Sequence, residues 1–320
     1  MTVKEPAAET TQESTARSAA SGSRREMLVL AHTRRPEIRE STQRVLERLI
    51  AAGIAPRILE EDAGDLDVSA ATVVPEGPGA AAGVELVLVL GGDGSLLRGA
   101  EVARGADAPL LGVNLGRVGF LAEAESEALE VTVDRLVRCD YHVEERMTVD
   151  VVVRADGKVL HQDWALNEAS VEKTDRARML DCVVEIEDRP LSRWGCDGVL
   201  LATPTGSTAY AFSAGGPIVW PGVEALLVVP ISAHALFARP MVVGPEVTVA
   251  IEVLSGGAAA MLSCDGRRTF DLPDRARVEV RRGNRPVRLA RFEEGGFTDR
   301  LVRKFELPVA GWRGRRQRRD

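Results

Sequence analysis

The stretch Leu86-Val87-Leu88-Val89-Leu90-Gly91-Gly92-Asp93-Gly94, continued by Ser95-Leu96-Leu97-Arg98-Gly99-Ala100-Glu101-Val102-Ala103, decides the fold. Five consecutive apolar residues with no polar alternation suit a strand covered on both faces. The run stops at three glycines around one aspartate, and from Ser95 to Ala103 the apolar spacing becomes helical. Strand, glycine turn and helix in that order belong to α/β domains that handle phosphates. Working outward, Met27 to Ala31 reads as another buried strand. Pro36 opens a helical pattern carried by Ile38, Val45, Leu46, Leu49 and Ile50 and closed by Gly53. Ala55 to Leu59 and Leu110 to Val113 supply further strands, and Ala128 to Arg138 a helix. The acidic connection from Leu59 through Pro78 reads as a long surface loop.

After Asp140 the pattern changes. Val143 to Arg154, Val183 to Ile186, Leu226 to Val229, Val247 to Val253, Met261 to Cys264, Val278 to Val280 and Val287 to Arg291 are short β-rich runs separated by Gly, Pro and Asp. Val278 and Val280 alternate with Glu279 and Arg281, as in a half-buried strand. The expected architecture is therefore an α/β protein: a Rossmann-like N-terminal domain over residues 26–141 and a mostly β C-terminal domain over 142–292. A disordered extension over 1–25, a segment 293–312 containing a helix from Thr298 to Phe305 that packs back, and a basic tail over 313–320 complete it.

A chain of 320 residues is long for one core and is consistent with two domains. A formal net charge of −7 gives no overall basic field, and aromatics at 4 % offer no stacking platform for single strands, so nucleic acid is not an expected partner. The arginines at 313, 315, 316, 318 and 319 are the local exception. Cys139, Cys182, Cys196 and Cys264 lack C-x-x-C spacing, and the four histidines are dispersed. Neither a disulfide framework nor a metal-ligand cluster is indicated. Ser23-Arg24-Arg25 before Met27 to Leu30 superficially suggests an export signal. The apolar run is too short for that or for a membrane span, which leaves the cytoplasm as the expected location.

Asp93 is the first candidate for chemistry. Gly91, Gly92 and Gly94 are read as permitting positive φ and leaving backbone N–H groups open to a phosphate, with the following helix aiming its positive end at the same place. A carboxylate in such a cradle repels phosphate, so its presence there implies a chemical role, either taking a proton from a hydroxyl or holding Mg²⁺ between phosphate oxygens. The spacing fails other motifs. Ala100 and Glu101 stand where a Walker A loop needs Lys and Ser or Thr, and Leu97 stands where a dinucleotide fingerprint needs its third glycine. A second cluster runs from Asp197 and Gly198 to Thr203-Pro204-Thr205-Gly206-Ser207-Thr208-Ala209-Tyr210. Its small residues let a ligand approach the backbone, its hydroxyls suit ribose or phosphate, and Tyr210 suits a base.

Together with Asn167-Glu168, Leu111-Gly112-Val113-Asn114, Gly116, Gly119-Phe120, Ala238-Arg239-Pro240 and Cys264-Asp265-Gly266, these motifs resemble the bacterial NAD kinase family in order and approximate spacing. The likeness runs from about Met27 to Trp312. Gly-Gly-Asp-Gly is shared with phosphofructokinases and lipid kinases, whereas the Thr-Pro-Thr-Gly-Ser-Thr-Ala-Tyr string is close to diagnostic. The resemblance implies NAD in a cleft between two domains of a homo-oligomer, dimer or tetramer. ATP or polyphosphate with Mg²⁺ or another divalent cation would be the donor, and the adenosine-ribose 2′-hydroxyl of NAD the acceptor. Asp93 would be the general base beside Gly94. Asn167 and Glu168 would bind a ribose, and Asp197, Thr208, Ala209, Tyr210, Ala211, Phe212 and Ser213 would complete the NAD pocket. Arg98 and Arg178 match positions that approach NAD. Ala169, Ser170 and Gly195 depart from the family pattern, which weakens the contacts expected near Arg178 and Gly195. A lipid or sugar kinase with the same glycine turn, or a non-catalytic NADP sensor, are the competing readings.

Overall fold

The computed structural model describes residues 24–33, 35–115, 119–122, 124–125, 129–292 and 296–309. Most of the expected N-terminal extension, Gly116, Ala128 and the basic tail lie outside the described residues. In chain order the first half contains β1 (Glu26–Ala31), α1 (Pro36–Ala51), β2 (Ala55–Leu59), α2 (Glu60–Ala63), β3 (Thr72–Val74), β4 (Leu86–Leu90), α3 (Asp93–Ala106), β5 (Leu110–Asn114), β6 (Ala124–Glu125), α4 (Leu129–Val137) and β7 (His142–Arg146). Next come β8 (Val149–Ala155), β9 (Lys158–Ala165), β10 (Glu168–Lys173), β11 (Leu180–Ile186), β12 (Arg189–Cys196) and β13 (Gly198–Ala202). The one-turn 3₁₀ segment Gly206–Thr208, α5 (Tyr210–Ser213), β14 (Leu226–Ile231), β15 (Met241–Val243), β16 (Val249–Val253), β17 (Ala260–Cys264), β18 (Arg268–Leu272), β19 (Arg277–Arg282), β20 (Val287–Arg291) and α6 (Phe297–Phe305) follow.

The first sheet runs β3-β2-β1-β4-β5-β20-β7, with β6 against β5. Its pairs from β3 to β20 are parallel, and β7 closes the edge antiparallel to β20. Leu86, Leu88 and Leu90 face α1 and α4, while Val87 and Val89 face α3, so every side chain of β4 is buried. Each such burial stabilises by about 1.5–3 kcal/mol, which is why the run carries no polar residue. Ile38, Val45, Leu46 and Leu49 of α1 are buried as the spacing predicts, whereas Ile50 is exposed.

Three expectations change here. The connection after Leu59 is not simply loop: it holds α2 and the three-residue edge strand β3, which pairs Thr72 to Val74 with Arg57 to Leu59. A four-residue acidic helix has no apolar period to read. It is held by Asp62, whose buried carboxylate accepts the Ala31 N–H at 3.2 Å and pairs with Arg98 at 2.8 Å. The run Val143 to Arg154, expected as one β segment of the second domain, splits into β7 and β8, which lie in different sheets. Val287 to Arg291 likewise joins the first sheet as β20. The β-rich half therefore occupies a narrower span than 142–292, because a strand's sheet is set by partners distant in sequence.

That half is two six-stranded antiparallel sheets, ordered β15-β14-β13-β10-β17-β18 and β12-β11-β16-β19-β8-β9. They enclose one core in which Val151, Val171, Val184, Val199, Ile251, Leu262, Val278 and Val280 are buried. Trp194 is fully buried and donates its indole N–H to Phe237 O at 2.9 Å. Cys182, Cys196 and Cys264 are buried and Cys139 is exposed, all four as free thiols. No helix among the described residues is long and apolar enough to cross a membrane. Helix α6 packs between the halves: Phe120 lies 6.3 Å from Phe297 and 5.7 Å from Phe305, Phe212 lies 4.8 Å from Phe305, and Trp220 meets Phe297 at 5.1 Å. Trp164 of β9 is covered by Arg104 of α3 and by Arg268, at 4.4 and 5.0 Å, which ties the second half to the α3 wall.

Candidate active site

The strand order reverses between β1 and β4, the point where open α/β sheets bind ligands outside the carboxyl ends of their strands. The glycine turn leaves β4 there. A cavity of about 120 Å³ is lined by Leu30, Ala31 and His32 on one side and by Gly94, Ser95, Arg98 and Arg267 on the other. The glycines act differently from expectation, since none of Gly91, Gly92 and Gly94 has positive φ. At Gly91 a Cβ would lie 2.5 Å from Ser95 Oγ, so the close approach of the helix requires glycine. Gly92 and Gly94 face open space and leave the first turn of α3 bare, without a side-chain cap.

Asp93 is the first residue of α3. Its Oδ2 accepts the Phe120 N–H and its Oδ1 the Leu121 N–H, both at 3.1 Å. A Cβ at Gly119 would lie 2.3 Å from Oδ1, so that glycine makes room for the carboxylate. Phe120 and Leu121 in turn line a second cavity, of about 360 Å³, with Pro204, Thr205 and Thr208 on its far side. The loop that grips Asp93 thus faces the hydroxyl-rich motif across the crevice.

Asn167 and Glu168 stand at the start of β10 and are built into this wall by backbone contacts. Asn167 O accepts the Thr203 N–H at 2.8 Å, and a Cβ at Gly206 would lie 2.0 Å from the same oxygen. Thr203 Oγ1 donates to Leu166 O at 2.6 Å. Asp265, a buried residue in the turn after β17, accepts the N–H groups of Leu166, Asn167 and Glu168 at 2.9, 2.7 and 3.4 Å. The same turn reaches the other wall, because Arg267 and Arg268 both pair with Glu101 of α3. Burial pushes the Asp265 carboxyl up despite these amides. Burial, reinforced by Asp265 and opposed by the Tyr210 N–H, pushes Glu168 up to about 8. Its Oε2 and Asn167 Oδ1 are buried without a hydrogen-bond partner.

The remaining expected residues divide. Thr208 and Ala209 are half-buried beside this cluster. Tyr210 is partly exposed and donates its hydroxyl to Glu172 at 3.1 Å. Asp197 pairs with Lys173 at 2.5 Å, which holds its carboxyl below the usual range. Ala211 turns inward, buried with Leu200, Ala202, Leu227 and Val229, and Phe212 packs on α6, while Ser213 is exposed. Arg178 is exposed on the β10–β11 loop next to Met179, whose methyl lies 3.4 Å from where a Cβ at Gly195 would stand. Arg98 is tied to Asp62 at 2.8 Å and Glu76 at 2.9 Å, and it lines the cavity under Gly94. Sequence reasoning left the role of Asp265 and Arg267 unread. The signal was Asp265-Gly266-Arg267-Arg268, an acid and two bases around a turn glycine with φ 64°.

This geometry has known relatives. Residues 27–141 match the model of the ATP-NAD kinase N-terminal domain and residues 166–292 that of the C-terminal domain. NAD kinase 2 of Streptomyces coelicolor is 59 % identical over 292 residues, covering 91 % of this chain and 97 % of the relative. The chain belongs to the NAD kinase family. The NAD kinase of Thermobifida fusca is 58 % identical over 305 residues, covering 92 % and 94 %. Among solved structures, yeast NADH kinase complexed with NADH superposes with a TM-score of 0.79 at 21 % identity over 89 % of this chain and 88 % of that one. An Archaeoglobus fulgidus NAD kinase in complex with ATP gives 0.68 at 24 % over 89 % and 100 %. These two share the fold. NAD kinase activity, phosphoryl transfer to NAD, is the activity of this chain.

Proposed function

We propose that the enzyme transfers the terminal phosphoryl group of ATP or polyphosphate to the 2′-hydroxyl of the adenosine ribose of NAD, with Asp93 as general base. The observation that carries this reading is the Asp93 carboxylate braced by the Phe120 and Leu121 amides, whose loop faces Thr205 and Thr208 across the crevice. Each carboxylate oxygen accepts one N–H and keeps a lone pair. One of these takes the hydroxyl proton as the ribose oxygen bonds to phosphorus, and the bond to the bridging oxygen breaks, leaving the shortened donor.

The bare first turn of α3 and Arg267 face the donor's terminal oxygens, where aligned N–H groups contribute about 0.3–1 kcal/mol. Among the described residues no group of three or more His, Cys, Asp or Glu can hold a metal ion. A divalent cation would instead enter with the donor, and Asp93 would be the carboxylate beside it. When bound it neutralises phosphate charge. Glu168, protonated at neutral pH, donates to a ribose hydroxyl and Asn167 accepts from one, which satisfies their two orphaned oxygens. A homo-oligomer is supported by the fully exposed Leu236 beside the exposed Phe237.

The test is NADP formation by the purified chain with ATP or polyphosphate against NAD or NADH, with Mg²⁺. The 2′-phosphorylated product is expected with NAD. Phosphate on another hydroxyl, or full turnover in Asp93→Asn, defeats the assignment.

A further inference from the structure

The 360 Å³ cavity extends beyond the residues that the motifs single out, sharing only Thr208 with the expected NAD set. Its inner wall comes from the antiparallel edge of the first sheet, where β7 and β20 bring Arg146 and Arg291 together, and α6 adds Arg300. Among the described residues that line it, these three arginines accompany one carboxylate, Glu144. Arg146 is the most informative. Its side chain is 7 % exposed, it spends an Nη on Glu144 at 2.8 Å, and its Nε is buried with no hydrogen-bond partner. A buried guanidinium with an idle donor is costly, and a core built only for stability would avoid it. Burial and the charge of Arg291, partly offset by Glu144, push Arg146 down to about 10, so the surroundings favour an added negative charge.

The other two arginines connect this place to the reaction. Arg291 donates to Leu121 O at 3.0 Å and Arg300 to Phe120 O at 3.3 Å. The N–H groups of these two residues are the ones that grip Asp93. Phe120 and Leu121 therefore each hold a guanidinium at the carbonyl and the Asp93 carboxylate at the N–H, and the peptide unit between them carries both.

We propose that the Arg146–Arg291–Arg300 cavity binds a multivalent phosphoanion, either free or as the phosphate tail of a nucleotide, at a place distinct from the glycine turn and in contact with the loop that holds Asp93. A planar guanidinium with an idle Nε suits phosphate oxygens, and Arg291 and Arg300 set two further guanidiniums on the same cavity. The site does not depend on Asp93 acting as a base.

Calorimetric titration of the full chain, without NAD, with inorganic pyrophosphate and separately with a non-hydrolysable ATP analogue tests this. Arg146→Met and Arg300→Gln are expected to weaken binding at least about tenfold, the worth of one charge-assisted contact, with Arg267→Gln affecting it less. Sensitivity in the pyrophosphate arm identifies a free anion, and in the analogue arm a nucleotide tail. Thermal melts establish folding, and if Arg146→Met unfolds, Arg300→Gln, partly exposed on α6, decides. Unchanged binding in folded variants, or loss only in Arg267→Gln, overturns the proposal. Full turnover in Asp93→Asn would remove the base and leave this result untouched.

Discussion

The two walls of the crevice hold their carboxylates in opposite ways. On the α3 wall Asp93 is partly exposed, braced by two amides and flanked by glycines that keep its surroundings open. On the β wall Asp265 and Glu168 are buried, and both are pushed up by that burial. Asp265 spends its oxygens on three backbone N–H groups and so shapes the chain at Asn167-Glu168. An acid that reacts must keep lone pairs within reach of substrate, and an acid that shapes the backbone must use them up.

The sharpest way to break this contrast is Asp93→Asn. Turnover is expected to fall about 10²- to 10⁴-fold while NAD binding, measured calorimetrically, persists. Next comes Gly119→Ala, whose methyl displaces the Asp93 carboxylate. A loss of kcat on the order of 10- to 100-fold is expected from such a misplacement, with an unchanged denaturant midpoint separating it from unfolding. Asp265→Ala should reverse the pattern. It leaves three buried amides without their acceptor and removes one of the carboxylates around Arg268, so urea unfolding should show a loss of about 3–5 kcal/mol.

The β wall also predicts a pH signature. The folded Glu168 carboxyl, at about 8, sits above its ordinary 4.5, so between these values the native state holds a proton that the unfolded chain releases. Its contribution is fully present below about pH 4.5 and is lost as pH rises through about 8. Stability of Glu168→Gln should be flatter over that window, by a few kcal/mol at most as an order of magnitude. The smallest effect is expected at Arg178→Ala. This exposed loop residue should alter stability by less than about 0.5 kcal/mol, with any change confined to the KM for NAD.

The parts legible in sequence are those whose cause is local. Leu86 to Leu90 reads as a buried strand because both its faces need apolar cover, and Asp93 stands out because its glycines have no other use nearby. Those glycines matter for a reason other than the expected one, since close packing on Ser95 and an open helix end explain them, not positive φ. Asp265 and Arg146 are opaque in sequence because the amides that Asp265 accepts lie about 100 residues away and the strand that covers Arg146, β20, comes more than 100 residues later in the chain. Arg98 and Ala211 show the same limit from the other side, being drawn respectively into an acidic pair and into the core by neighbours that no short motif contains.

The position of β20 bears on how the molecule is made. The strand that fills the gap between β5 and β7 follows β7 by more than 100 residues, so a nascent chain emerging from the ribosome leaves the edge of β5 at Leu110 without its β20 partner until residue 287 and beyond have been synthesised. Completion of the first sheet waits on synthesis of the β-rich half, and a polypeptide ending at residue 141 lacks the piece that seals its own edge.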